Sequence, residues 1–385
     1  MVERVGAVLF IHHALCAMTH SYYCSAARQS SGKLGYITHE GWAALMHDCK
    51  IVGHEHCSPT DLESIFARMG RIRKEGDDVL CHGNNLAAEA TVTHKRTTAH
   101  HERRAVGLAT NDGNGGVALS RVEFMVALVH VAIHRYVLAG EVSNVADAVD
   151  SLFRAHLRLS LGTAFPPPDD FRRASAYTYE VHEVLCHHEP SLRVLFNFLD
   201  RVSCTPRALI SLDVWTRFLR KVGLEEGGAS ERASTLCFLW SIMCVADSRL
   251  SKFKERSLPF EGFLEALCRL SALKGLPTDD EVRAAGFADA GMYMTVSLDP
   301  GHDPEASQRL LERTTRFGVV QRVQPVSRCV DHLIFIIVRR IAQGEAGATS
   351  PSLIGQEASL SDQNQRPQIS EKVMAKWAED VRFGD

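Results

Sequence analysis

Four groups of residues have the types and spacing to do chemistry. The first is a run of oxygen donors. Asp112, Asn114, Ser120 and Glu123 fall at positions 1, 3, 9 and 12 of a twelve-residue stretch, which are ligand positions of a calcium loop. Position 5 is Gly116, which brings no side-chain oxygen, and position 6 is Val117, where the sharp turn calls for Gly. Only Asp112 and Glu123 are acidic, so calcium affinity would be weak. The same residues also read as a Gly-rich turn followed by a Ser120–Glu123 capping box.

The second group is His130 and His134, one helical turn apart, a spacing that can chelate zinc. No third ligand adjoins them, and a polar edge beside an apolar stripe explains them as well. The third is Cys49, His54, His56 and Cys57, zinc-ligand types in a spacing that matches no zinc finger. An ordinary polar loop is the competing reading.

The fourth group is basic. Between Arg68 and Arg104 stand eight Lys and Arg against five acids, with His82, His94, His100 and His101 among them. Arg96, Arg103 and Arg104 are the residues expected to touch an acidic partner surface. No aromatics interleave with the charges, which argues against single-stranded nucleic acid. A solvated loop is the plain alternative. Neither a Gly-rich phosphate loop nor a G-x-S-x-G elbow occurs. The Cys residues sit mostly in apolar settings, as structural thiols do.

The elements that must position these residues come from an internal duplication. Tyr36–Trp42 matches Leu209–Trp215 at an offset of 173, with Ile37/Ile210, Thr38/Ser211 and Trp42/Trp215 in step. Leu119–Leu128 matches Leu258–Leu267 at an offset of 139, with Phe124 over Phe263 and Ala127-Leu128 over Ala266-Leu267. The first copy therefore carries 173 − 139 = 34 extra residues between its blocks. They belong to a stretch at about 71–116, rich in Gly, Thr, His and charge, expected to be a long mobile insertion.

Helical spacing runs through both copies. Phe124, Ala127, Leu128, Val131 and Ala132 form one stripe, and Phe263, Ala266, Leu267 and Leu270 repeat it. Ser120 and Ser211 read as N-caps. No region shows several alternating strand runs, so the fold class is mostly α. Trp42, Phe124, Trp215 and Phe263 are the expected core anchors.

The expected organisation is a first domain over 1–161, a Pro-rich linker over 162–174 with Pro166, Pro167 and Pro168, and a second domain over 175–295. A helical extension over 296–343 follows, then a tether over 344–369 poor in large apolar residues and expected to be disordered. The chain ends in an amphipathic docking helix over 370–385, with Val373, Met374, Trp377, Ala378 and Val381 on one face. Such a helix docks on its own domain or on a partner, and Trp377 is the residue assigned to partner contact.

Composition narrows the class. The 385 residues are 45% hydrophobic and 23% charged, ordinary for globular domains. Net charge is 43 − 46 = −3, which argues against a general nucleic-acid binder or a polybasic membrane protein. Eleven Cys without a CxxC pair suit reduced thiols in the cytoplasm. The longest apolar runs, six residues each and including 333–338, are too short for a membrane span, and no signal peptide is expected.

Each copy repeats a pattern: helix, loop with one apolar residue, and a helix opening on an aromatic five residues later. Ile37, Leu119, Ile210 and Leu258 take the loop position, and Trp42, Phe124, Trp215 and Phe263 take the helix position. This resembles paired EF-hands, in which the loop residues pair as short strands. Placing those apolar residues at position 8, the first loop offers Ser30, Gly32 and Leu34 and ends on Gly41. The third offers Ser203, Thr205 and Arg207 and ends on Val214; the fourth offers Ser251, Phe253 and Glu255 and ends on Gly262. None of these three sets neutralises a divalent cation.

The whole is similar to the degenerate tandem EF-hand-like proteins of cilia and flagella, and distantly to the tubulin-polymerization-promoting protein family. The resemblance implies two tandem EF-hand-like helical domains plus C-terminal helices. It also implies no catalytic residue, no cofactor beyond calcium at the Asp112 loop, and tubulin or axonemal neighbours as partners. The place it implies is the cytoskeleton of a cilium or flagellum.

Overall fold

The structure is a computed structural model. It describes residues 2–25, 35–54, 56–70, 117–161, 168–203, 205, 208–224, 231–243, 254, 256–297, 304–314, 323–343, 368–381 and 383. The fold is mostly helical, and the chain divides into two compact units, Met1–Pro167 and Pro168–Asp385.

The first unit opens with α1 (Val2–Ile11) and α2 (His13–Cys24). Strand β1 (Ile37–Thr38) leads into α3 (His39–Asp48), and α4 spans 59–70. Strand β2 (Ala118–Leu119) leads into α5 (Arg121–Ala132), and α6 (Val145–Leu152) follows. Side-chain caps start α3, α5 and α6. Thr38 Oγ1 accepts from Gly41 N–H at 3.3 Å, and Asn144 accepts from Ala146 N–H at 3.0 Å. The Ser120–Glu123 capping box forms, with Glu123 Oε2 accepting from Ser120 N–H at 2.6 Å. Helices α5 and α6 run on into π-helical turns at Ile133–Val137 and Phe153–Arg158, each a one-residue slip of the ladder.

The second unit begins with α7 (Pro168–Phe171), which continues as a π turn over Arg172–Ala176. Residues 168–174, expected in a linker, are therefore helical. Pro168 starts the helix, where its missing N–H costs nothing. Then come α8 (Tyr179–Ser203), β3 (Ile210–Ser211), α9 (Leu212–Lys221), α10 (Glu231–Ser241), β4 (Ser257–Leu258) and α11 (Phe260–Leu273). The unit closes with α12 (Asp279–Ala284), α13 (Ala290–Ser297), α14 (Pro304–Glu312), α15 (Val326–Gln343) and α16 (Glu371–Asp380).

Two antiparallel strand pairs tie the loops together. Ile37 lies opposite Leu119 in the first unit, and Ile210 opposite Leu258 in the second. All four side chains are fully buried. Helix α15 packs on α11, α13 and α8, so the C-terminal helices belong to the second unit rather than extending from it. Paired charges fix this packing. Asp279 takes Arg328 at 2.8 and 2.5 Å and His332 Nε2 at 2.8 Å, while Asp289 takes Arg339 at 3.0 and 2.7 Å. Among the described residues no single helix is long and apolar enough to cross a membrane.

Candidate functional site

The two units build the same centre from matched residues. Trp42 Nε1–H donates to the Leu62 carbonyl at 3.1 Å, and Trp215 Nε1–H donates to the Ser234 carbonyl at 3.1 Å. Each indole stands edge-on to the Phe of the later helix. Trp42 and Phe124 are 6.5 Å apart at 88°, and Trp215 and Phe263 are 6.2 Å apart at 85°. A second ring tilts against each, Phe66 at 6.0 Å and Phe238 at 6.5 Å. These partners carry the duplication through α4 and α10, since 234 − 62 and 238 − 66 both give 172, one short of the earlier offset. The sequence predicts a helix at each place, over Leu62–Met69 and Leu236–Val245, but not this register, at which only Phe66 and Phe238 are identical.

Direct contacts link the described residues of the third loop. Ser203 Oγ (position 1) accepts from Ser211 N–H (position 9) at 3.0 Å. Thr205 Oγ1 (position 3) donates to the Leu209 carbonyl (position 7) at 2.9 Å. Would-be ligand positions thus bond one another, and Asp200 Oδ1 adds a bond from Leu209 N–H at 2.9 Å. At the exits of the first and fourth loops, where α3 and α11 begin, a glycine lies against a backbone carbonyl. A Cβ on Gly41 would lie 2.5 Å from the Tyr23 carbonyl oxygen near the end of α2. A Cβ on Gly262 would lie 2.9 Å from the Ser241 carbonyl oxygen at the end of α10. Both glycines stand at position 12, where a calcium loop carries its bidentate Glu, and no side chain fits there. Gly41→Ala and Gly262→Ala should each cost about 1–3 kcal/mol through overpacking, read as lowered denaturant midpoints with unchanged slopes.

In the second loop, Asp112 and Asn114 lie outside the described residues. Ser120 and Glu123 are described and bond each other as the cap of α5. Arg96, Arg103 and Arg104 also lie outside the described residues, as does the rest of the stretch at 71–116.

The zinc candidates do not converge. His134 Nδ1 faces the His56 carbonyl at 3.3 Å, and His54 packs edge-on to His156 at 5.5 Å. His156 Nδ1 faces the Cys49 carbonyl at 3.0 Å. Among the described residues no group of three His, Cys, Asp or Glu side chains could hold a metal ion. Burial pushes the Cys49 thiol up to about 12 and the Cys57 thiol up to about 11, so both stay protonated at neutral pH. Cys16, Cys237 and Cys268 are likewise pushed to about 12 by burial.

Trp377 corrects an expectation. Assigned to partner contact, it is 2% exposed, and its ring lies 5.5 Å from Phe383 and 6.4 Å from Phe198 of its own unit. An apolar helix face reads the same in sequence whether its groove lies on the same unit or on another protein.

Two buried polar features have no counterpart in the sequence reading. In the second unit, Glu265 of α11 accepts from Arg172 Nε at 3.0 Å, Tyr177 OH at 2.9 Å and Arg269 at 2.9 and 2.7 Å. In the first, His20 lies under Phe124, 5.5 Å ring to ring, with Cys24 Sγ at 3.5 Å. Burial, helped by the positive Arg121, lowers His20 to about 3. The folded unit keeps this ring neutral, while the unfolded chain takes up a proton below about pH 6.5. Stability from this group is therefore complete above about pH 6.5 and falls as pH drops toward 3, by about 1.4 kcal/mol per pH unit. Denaturant melts should lose about 3 kcal/mol through His20 by about pH 4, and His20→Leu should flatten that slope.

No protein-family model, no curated protein and no solved structure matches the chain.

Proposed function

We propose that the chain is a non-enzymatic interaction protein. In this reading each unit is an EF-hand-like pair that has exchanged its ions for direct contacts and keeps its helix grooves for protein partners. The observation that carries it is the third loop, where the side chains at positions 1 and 3 bond positions 9 and 7 of the same loop. The glycines at position 12 of the first and fourth loops support it, because they leave no room for the ligand an ion needs. A helix pair held this way has a fixed geometry whatever the ion concentration. That suits a permanent assembly better than a sensor.

The resemblance to degenerate tandem EF-hand-like proteins of cilia and flagella supplies the partner class: tubulin or a neighbouring axonemal protein. Within the stretch at 71–116, residues 95–104 carry four Lys or Arg against one acid, and this segment is the one suited to an acidic tubulin surface, through Arg96, Arg103 and Arg104. Its contribution is electrostatic, so it weakens as salt rises. Deleting 71–116 should reduce microtubule pelleting at low salt and change little at high salt. Equal pelleting with and without the stretch at low salt would remove it from the interface.

A second reading is a calcium-responsive sensor, favoured by the spacing of Asp112, Asn114, Ser120 and Glu123. Calorimetry separates the two. The scaffold reading expects no heat of calcium binding. Submillimolar binding abolished by Glu123→Gln would establish the sensor.

A further inference from the structure

Helix α16 sits on the second unit as a ligand sits in a site. Its buried residues lie on one face, Met374 and Trp377, with Ile369 before the helix and Phe383 after it. Its other face, with Glu371, Lys372, Lys376, Glu379 and Asp380, is exposed. At ten residues it is shorter than the roughly 12–15 that hold a helix alone in water, so its helical form depends on the groove. Helix α15 ends at Gln343 and α16 begins at Glu371, so 370 − 343 = 27 residues of chain separate them.

The groove reads three things. Phe198 of α8 meets the aromatic anchors, 6.4 Å from Trp377 and 5.4 Å from Phe383. Ser191 Oγ, buried on α8, accepts from Ile369 N–H at 3.0 Å and fixes where the segment enters. Two cations of α9 read its exit. Arg217 donates to the Phe383 carbonyl at 3.2 Å, and Lys221 donates to the Val381 carbonyl. Asp213 holds Arg217 in place at 2.6 Å. Both carbonyls lie at or just past the C-cap, and cations placed there complement the negative end of the helix, so they set the direction as well as the position of the occupant.

We infer that this groove is a helix-binding site, that α16 is its displaceable occupant in cis, and that its partner in trans is an amphipathic helix. That helix carries the Met-x-x-Trp anchors of 374–377 and a short apolar tail that ends on Arg217 and Lys221. The inference stands on the second unit alone and does not depend on the microtubule reading.

The test uses the full chain with a protease site placed inside 344–367, cut after purification, and a fluorescent peptide of residues 368–385. Fluorescence anisotropy should show the labelled peptide exchanging into the cut chain. The uncut chain should bind it roughly 100-fold more weakly, because the tethered segment competes at high effective concentration. A Trp377→Ala peptide should not exchange. A cut chain carrying Arg217→Ala and Lys221→Ala should hold the peptide roughly tenfold more weakly, with its far-ultraviolet spectrum unchanged. Equal binding to cut and uncut chains would overturn the site. So would no exchange at all, whether the cut segment stays permanently in place or leaves and does not rebind.

Discussion

Trp42→Ala should lower the stability of the first unit by about 3–5 kcal/mol, and Trp215→Ala should cost the second unit a like amount. Both indoles are essentially inaccessible, at 1% and 0% exposure. Each truncation removes the edge-on contact to Phe124 or Phe263, opens a cavity between the packed helices, and removes the indole N–H that bonds the helix carbonyl of Leu62 or Ser234. A Phe in place of either Trp keeps much of the bulk and loses the N–H. Trp42→Phe and Trp215→Phe should therefore cost about 1–2 kcal/mol, well short of the alanine variants. Hydrogen exchange read by mass spectrometry follows the two units separately in one sample. Matched losses are expected because the duplicated residues carry matched contacts. A large loss at one site and none at the other would mean that the likeness of the two centres is geometric only.

Breaking the charge cluster on α11 should do comparable damage. Glu265 is 5% exposed and Arg269 3%, and four donor groups from Arg172, Tyr177 and Arg269 converge on one carboxylate. Glu265→Ala leaves the buried Arg269 guanidinium without its counter-charge and releases the π turn at Arg172–Ala176, which Glu265 anchors. Removing one partner of a buried pair costs about 3–5 kcal/mol, whereas replacing the pair with apolar residues of similar volume is often neutral. The double variant Glu265→Leu, Arg269→Met should therefore recover most of what Glu265→Ala loses, as judged by urea midpoints. A single variant no worse than the double would mean that solvent reaches the cluster.

The parts legible in the sequence were those set by apolar spacing. Ile37 against Leu119 and Ile210 against Leu258 follow from the register between each apolar loop residue and the aromatic five places later. The Ser120–Glu123 cap follows from its own spacing. What sequence hid falls into three physical kinds. Glu265 and Arg269 stand one turn apart on a helix, which ordinarily marks a solvated face; here the segment at 168–177 folds against them. The π turns after α5 and α6 arise from single-residue slips that leave the apolar stripe almost unchanged. Trp377 sits on a stripe that dictates docking without dictating the dock. For the candidate site, the loop contacts of Ser203 and Thr205 were hidden because a hydroxyl at a ligand position looks the same whether it faces an ion or a carbonyl.

Co-sedimentation of the intact protein with stabilised microtubules, in chelator and in millimolar calcium, bears on the whole account. The proposed ion-independent scaffold should pellet with microtubules to the same extent in both buffers, and should pellet less as salt rises. A chain that stays in the supernatant at every salt concentration, or that pellets only when calcium is present, contradicts it.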